Sequence, residues 1–100
     1  MPKLLPPVHP GEILREDVLE PLGISVNQFA KALGIDTPRL NEIVRARRGI
    51  TADNALRLAR YLRTTPRFWL NLQSDYELRL ARRAKGAEIE RAVKPRESAA

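Results

Sequence analysis

Four arginines fall within residues 39–48: Arg39, Arg45, Arg47 and Arg48, against a single acid, Glu42. An arginine fork can pair with guanine O6 and N7. The same residue type in a loop can neutralise phosphates. Thr37, Asn41 and Glu42 share the stretch with Arg39. Their side chains suit, respectively, a thymine methyl or a phosphate, an adenine edge, and a cytosine amino group. Read as chemistry, the segment is a reader of duplex nucleic acid, not a catalyst.

Base reading needs these side chains on one exposed face, so a helix must hold them. Leu40, Ile43 and Val44 recur at helical spacing and form its buried stripe. The outer face is then Thr37, Pro38, Arg39, Glu42 and Arg45, with Asn41 at the flank. Asp36 is the predicted N-cap, and Ile35 can staple Leu40. Glu42 either accepts from cytosine or keeps Arg39 or Arg45 oriented. Arg45, Arg47 and Arg48 follow at the helix end and in the loop closed by Gly49, where they would touch phosphate and supply affinity more than sequence.

A second short helix precedes the first reader. Ser25 is its N-cap and Gln28 completes a capping box, with Ile24 and Phe29 as a hydrophobic staple. Phe29, Ala30 and Leu33 face inward, and Gly34 takes the left-handed turn position. Ala30 is small enough to let two helices cross closely. Two short helices, a glycine turn and a basic loop form a helix-turn-helix. The start of the first of the two, with Ser25, Asn27 and Gln28, can clamp another phosphate.

Three more helices complete an all-α, compact five-helix domain. One runs from about Pro10 to Glu20, with Leu14, Val18 and Leu22 as its stripe and Pro21 and Gly23 as its end. Another starts at the cap Thr51 and reaches about Leu62, burying Ala55, Leu58, Ala59 and Leu62. The last starts at Thr65–Pro66 and carries Trp69, Leu72, Tyr76 and Leu80 at helical spacing. It is richer in apolar area than a small bundle needs. Phe68, Trp69, Leu72 and Tyr76 are therefore expected at a dimer interface, since one recognition helix covers too few base pairs for tight specific binding.

The division expected is an extended, proline-rich arm (1–8), the domain proper (9–81) and a basic, partly disordered tail (82–100). A fraying helix is expected beyond Arg82. The tail holds six basic and three acidic residues. It adds either non-specific DNA attraction or only solubility.

The whole chain is 100 residues with a net charge of +6. That favours a polyanionic partner. There is no cysteine, hence no disulfide or thiolate metal site. His9 is the sole histidine and reads as a helix-start residue, not a ligand. No metal, cofactor or catalytic site is expected. No segment reads as a secretory signal or approaches the ~20 apolar residues of a membrane span, so a cytoplasmic protein without a membrane partner is expected. The acids Glu12, Glu16, Asp17 and Glu20 read as a solvated stripe, or as a surface for a basic protein.

His9-Pro10-Gly11-Glu12-Ile13-Leu14 and Glu20-Pro21-Leu22-Gly23-Ile24-Ser25 resemble the opening of the HigA antitoxins, a branch of the Xre/Cro-like helix-turn-helix proteins with a lambda-repressor-like fold. So do Asn41-Glu42-Ile43-Val44, Arg48-Gly49-Ile50-Thr51-Ala52-Asp53, Ala55-Leu56-Arg57-Leu58-Ala59-Arg60 and Phe68-Trp69-Leu70-Asn71-Leu72-Gln73. The likeness spans roughly residues 9–80. It implies a bacterial antitoxin that neutralises a HigB-like, mRNA-cleaving toxin and, as a homodimer, binds operator DNA to repress its own operon. The rivals are a free-standing Xre-family regulator without a toxin, and an interaction bundle whose basic surface is incidental.

Overall fold

The computed structural model describes residues 7–97, and everything said of structure below concerns those residues. Most of the proline-rich arm lies outside them. Five helices and no strand are present among the described residues.

The first helix, α1 (residues 10–22), is not uniform. It opens as an α-turn over Pro10–Ile13, widens to a π-helix over Leu14–Leu19 and closes with Glu20–Leu22. Pro21 sits inside this last turn. It has no N–H to donate, and its ring would crowd the carbonyl of residue 17 in a regular α-helix. The π-turn lies immediately before it, with the Glu20 N–H bonded to the Arg15 carbonyl, five residues back. The widened turn changes which leucine faces inward. Leu14 and Leu19, five residues apart, are buried, while Leu22 is 58% exposed. The stripe expected from a 3.6-residue period, Leu14–Val18–Leu22, is therefore corrected to Leu14–Leu19, with Val18 only partly buried against the core.

Helix α2 (Val26–Leu33) carries the expected capping box. Gln28 N–H donates to Ser25 Oγ at 3.1 Å, and Ser25 N–H donates to Gln28 Oε1 at 2.8 Å. Helix α3 (Thr37–Val44) starts at Asp36, but the Asp36 side chain makes no cap hydrogen bond. Helix α4 (Ala52–Leu62) has its own capping box, with Asn54 in the third helical position answering Thr51.

Four helix ends pass through left-handed backbone: Gly23 and Gly34, as glycine allows, but also Ala46 (φ 62°) and Arg63 (φ 60°). After α3 the Ala46 N–H bonds the Ile43 carbonyl and the Arg47 N–H bonds the Glu42 carbonyl. That is a Schellman closure built on alanine. The loop after α3 thus turns at Ala46, ahead of the Gly49 named from sequence.

The core is Leu14, Leu19, Phe29, Ala30, Leu33, Ile35, Leu40, Ile43, Val44, Ile50, Ala55, Leu58 and Trp69. Every inward position assigned to α2 and α3 is in it. Helix α5 (Pro66–Ala92) begins at the Thr65 cap and runs unbroken ten residues past Arg82, where fraying was expected. Beyond Trp69 and Gln73 it buries no residue, and its outer half projects to give the molecule a 53 Å long axis. Its length follows from composition: Ala, Arg, Lys and Glu are strong helix formers, and Arg79 pairs with Asp75 one turn back at 3.0 Å.

The π-register makes a testable distinction. Leu19→Ala should destabilise the fold by about 2–5 kcal/mol. Leu22→Ala should stay within about 0.5 kcal/mol. Urea denaturation of the two variants decides it; equal losses would mean α1 packs in a regular α register.

Candidate nucleic-acid interface

Burial of Leu40, Ile43 and Val44 turns the other face of α3 outward. Arg39 and Glu42 are exposed there, and Thr37 and Asn41 are half-buried at its edge. An open hollow of about 670 Å³ gathers Asp36, Thr37, Pro38, Arg39, Asn41, Glu42, Arg47 and Arg48. All four residues expected to read bases therefore share one surface with two of the three expected phosphate arginines. Arg45 is exposed at the C-cap of α3.

Within this surface the side chains are already paired in ways the sequence did not reveal. Thr37 Oγ1 donates to Asn27 Oδ1 at 2.9 Å, so a base candidate and a phosphate candidate bind each other across the turn. Glu42 accepts from Arg48 Nε at 2.9 Å. The orienting role considered for Glu42 thus falls on Arg48, not on Arg39 or Arg45. The pair is about half exposed on both sides, so it holds a side chain in place more than it stabilises the fold. Ser25 Oγ and Gln28 Oε1 are occupied by the capping box. What the start of α2 offers an anion is then its first-turn backbone N–H groups and the positive end of the helix dipole.

The arginine loop is fastened from behind. Gln73, buried on α5, accepts the Ile50 N–H at 2.8 Å and donates to Glu77 at 3.2 Å. A Cβ at Gly49 would meet the Gln73 amide at 2.9 Å, so the loop lies directly on that side chain. Sequence reading passed Gln73 over. Its signal was a polar residue at a core position of α5, one turn after Trp69.

His9 is the N-cap of α1: its Nδ1 accepts the Gly11 N–H at 2.9 Å. The ring is buried and meets Tyr76 edge-on, with centroids 4.8 Å apart. Burial pushes the imidazole below its ordinary 6.5. Glu12, a backbone hydrogen bond with Arg48, and Glu77 pull the other way. The side chain expected only to start a helix thus also joins α1 to α5 and to the basic loop. Among the described residues no cluster of His, Cys, Asp or Glu could hold a metal.

The four residues assigned to a dimer interface separate. Trp69 is 2% exposed in the chain's own core, and its Nε1–H donates to Thr64 Oγ1 at 2.8 Å. A second copy cannot reach it. Leu72 and Tyr76 are half-buried, and Phe68 is 45% exposed, edge-on to Trp69.

The helix-turn-helix family model matches residues 16–69, the span from α1 to the start of α5. The chain is 48% identical to an addiction-module antidote protein of the HigA family from Coxiella burnetii. That likeness covers 92% of this chain and all of the other, with a TM-score of 0.87. This chain belongs to the HigA antitoxin branch of the helix-turn-helix family. Antitoxin HigA of Pseudomonas aeruginosa, solved with the higBA promoter, is 49% identical over 89% of this chain and 97% of its own, with a TM-score of 0.86. Virulence-associated protein I of Dichelobacter nodosus is 53% identical over 81 residues, 81% of this chain and 75% of that one. The HigA family is not an enzyme family. No helix among the described residues is long and apolar enough to cross a membrane.

The capping role of His9 sets a pH dependence. The folded state favours neutral imidazole, so between the lowered folded value and 6.5 the unfolded chain binds more protons. The His9 contribution to stability is complete above pH 6.5 and declines as pH falls below it. His9→Asn keeps a capping acceptor without a titrating ring. Thermal melts should show a shallower acid-side fall for this variant than for the native chain; parallel curves would refute the assignment.

Proposed function

We propose that this chain is the antitoxin of a toxin–antitoxin pair, which binds operator DNA as a homodimer to repress its own operon and neutralises a HigB-like, mRNA-cleaving toxin. The observation that carries the DNA part is the exposed face of α3. Thr37, Arg39, Asn41 and Glu42 line one open surface with Arg47 and Arg48, on a chain of net charge +6. The family's solved complex with promoter DNA supports the same reading.

The roles divide along the surface. Arg39 reads a guanine, with Thr37, Asn41 and Glu42 beside it at base edges. Arg45, Arg47, Arg48 and the start of α2, at Ser25, Asn27 and Gln28, grip phosphates on either side and fix register. Glu42 keeps Arg48 along the rim until a phosphate takes its place. Two-fold pairing through Phe68, Leu72 and Tyr76 on α5 gives two recognition helices and a palindromic site. The toxin partner rests on family membership.

Anisotropy titration on the duplex upstream of the chain's own start codon, against a scrambled duplex at two salt concentrations, tests this. Arg39→Ala should cost about 1–3 kcal/mol on the operator and leave the scrambled duplex unchanged. Arg47→Ala should weaken both alike and reduce the salt slope by about one. Native protein that binds both duplexes equally would sink the operator reading. For the assembly, Phe68→Arg should sediment as a folded monomer at concentrations where the native chain is a dimer. Co-expression with the product of an adjacent reading frame should relieve that product's growth arrest; no relief would leave a regulator without a toxin.

A further inference from the structure

The turn between α2 and α3 is three residues long: Gly34, Ile35 and Asp36. Its angle sets where α3 lies. Two of the carbonyls that end α2, those of Ala30 and Lys31, accept the N–H groups of Ile35 and Gly34. The carbonyls of Leu33 and Gly34 instead receive a side chain from another helix. Arg57 of α4 donates through Nη1 to Leu33 O at 3.0 Å and to Gly34 O at 3.2 Å. Its Nε donates to Asp53 Oδ1 at 2.7 Å, one turn back on α4. A Cβ at Gly34 would lie 2.8 Å from Nη1.

We propose that Arg57 is a positioning residue for DNA recognition: its guanidinium fork clamps the helix-turn-helix turn and so sets the angle of α3. This rests on the DNA-binding reading above. Four features carry it. Nη1 serves two backbone carbonyls while Nε holds a carboxylate, and the rigid planar guanidinium fixes the angle between these bonds, which a freely rotating ammonium does not. A cation at the C-terminal end of α2 also meets the negative end of the helix dipole. The turn is held on its other side by the buried Leu33 and Ile35, so fork and core grip it from both faces. A small hollow of about 180 Å³ is lined by Arg57, Asp53 and Arg39 together, which places the clamp beside the proposed base reader. Nε and Nη1 of Arg57 are engaged by Asp53, Leu33 and Gly34, so the side chain is held against the turn, and the experiment below separates this clamp from a phosphate contact.

A helix held at one angle is binding-competent all the time, and one that rocks is competent for a fraction of it. Apparent affinity falls by that fraction. Phosphate attraction on arbitrary DNA has no such geometric requirement. Loss of the clamp therefore lowers selective binding and spares non-selective binding.

The experiment compares native chain, Arg57→Gln and Arg57→Lys on the upstream and scrambled duplexes at two salts. It is run at a temperature where melts show each variant fully folded, with amide exchange at Gly34 and Ile35. Arg57→Gln should lose about tenfold on the upstream duplex, keep its scrambled-duplex affinity and salt slope, and exchange faster at both amides. Arg57→Lys should recover only part of the loss. Equal weakening on both duplexes with a lower salt slope would make Arg57 a phosphate contact and overturn the proposal. Unchanged operator affinity would overturn it too, as would a loss that tracks only the unfolded fraction. If the native chain itself shows no selectivity, the DNA reading fails first, and the native titration alone reveals that.

Discussion

Two backbones meet where α1 crosses α3. Gly11, in the first turn of α1, lies against the main chain of Ile43 on α3, where a Cβ on Gly11 would clash with the Ile43 carbonyl. Nothing but glycine fits. The contact presses the inner face of α3 onto the start of α1, so the opposite face, with Arg39 and Glu42, points outward. Placement of the candidate interface follows from that crossing. Leu14 one turn later and Leu40 one turn earlier bury alongside it. Core density then makes the arrangement rigid, since a packed interior does not deform continuously.

Around that crossing, polar groups hold what the core cannot reach. His9, Gln73 and Arg57 each act on a helix end or a loop, and each spends its hydrogen bonds on backbone or on a paired carboxylate. Among the described residues no buried side-chain polar atom lacks a partner. An unpaired one would cost about 1–3 kcal/mol, so a basic surface with many long side chains needs such bookkeeping to keep its loops in one place. The Glu42–Arg48 and Thr37–Asn27 pairs continue this on the outside. They hold four side chains of the candidate interface in fixed positions.

Helix α5 links the two levels. Its first turns complete the core through Trp69 and fasten the arginine loop through Gln73. Its later turns bury nothing in this chain. One helix thus serves the interior first, through Trp69 and Gln73, and then offers an exposed surface.

Much of this was legible in the residues themselves. Ser25 with Gln28, Gly34, the Leu40–Ile43–Val44 stripe and the cap Thr51 determined the helices, the turn and the outward face of α3, because capping and amphipathic spacing are local. Family likeness in residues 9–80 supplied the antitoxin reading, which no local rule contains. Only the tertiary structure decided the rest. Leu19 rather than Leu22 faces inward because Pro21 forces a π-turn, whose longer period no 3.6-residue count anticipates. Ala46 and Arg63 adopt left-handed backbone because their helices must stop where neighbouring elements require, not where a glycine stands. Trp69 proved to be core and not interface, since the α4–α5 contact closes over it. Arg57 and Gln73 matter through partners 23 or 24 residues away. Contacts across that separation form only when the chain has folded, and a linear pattern carries no trace of which carbonyl a side chain will find.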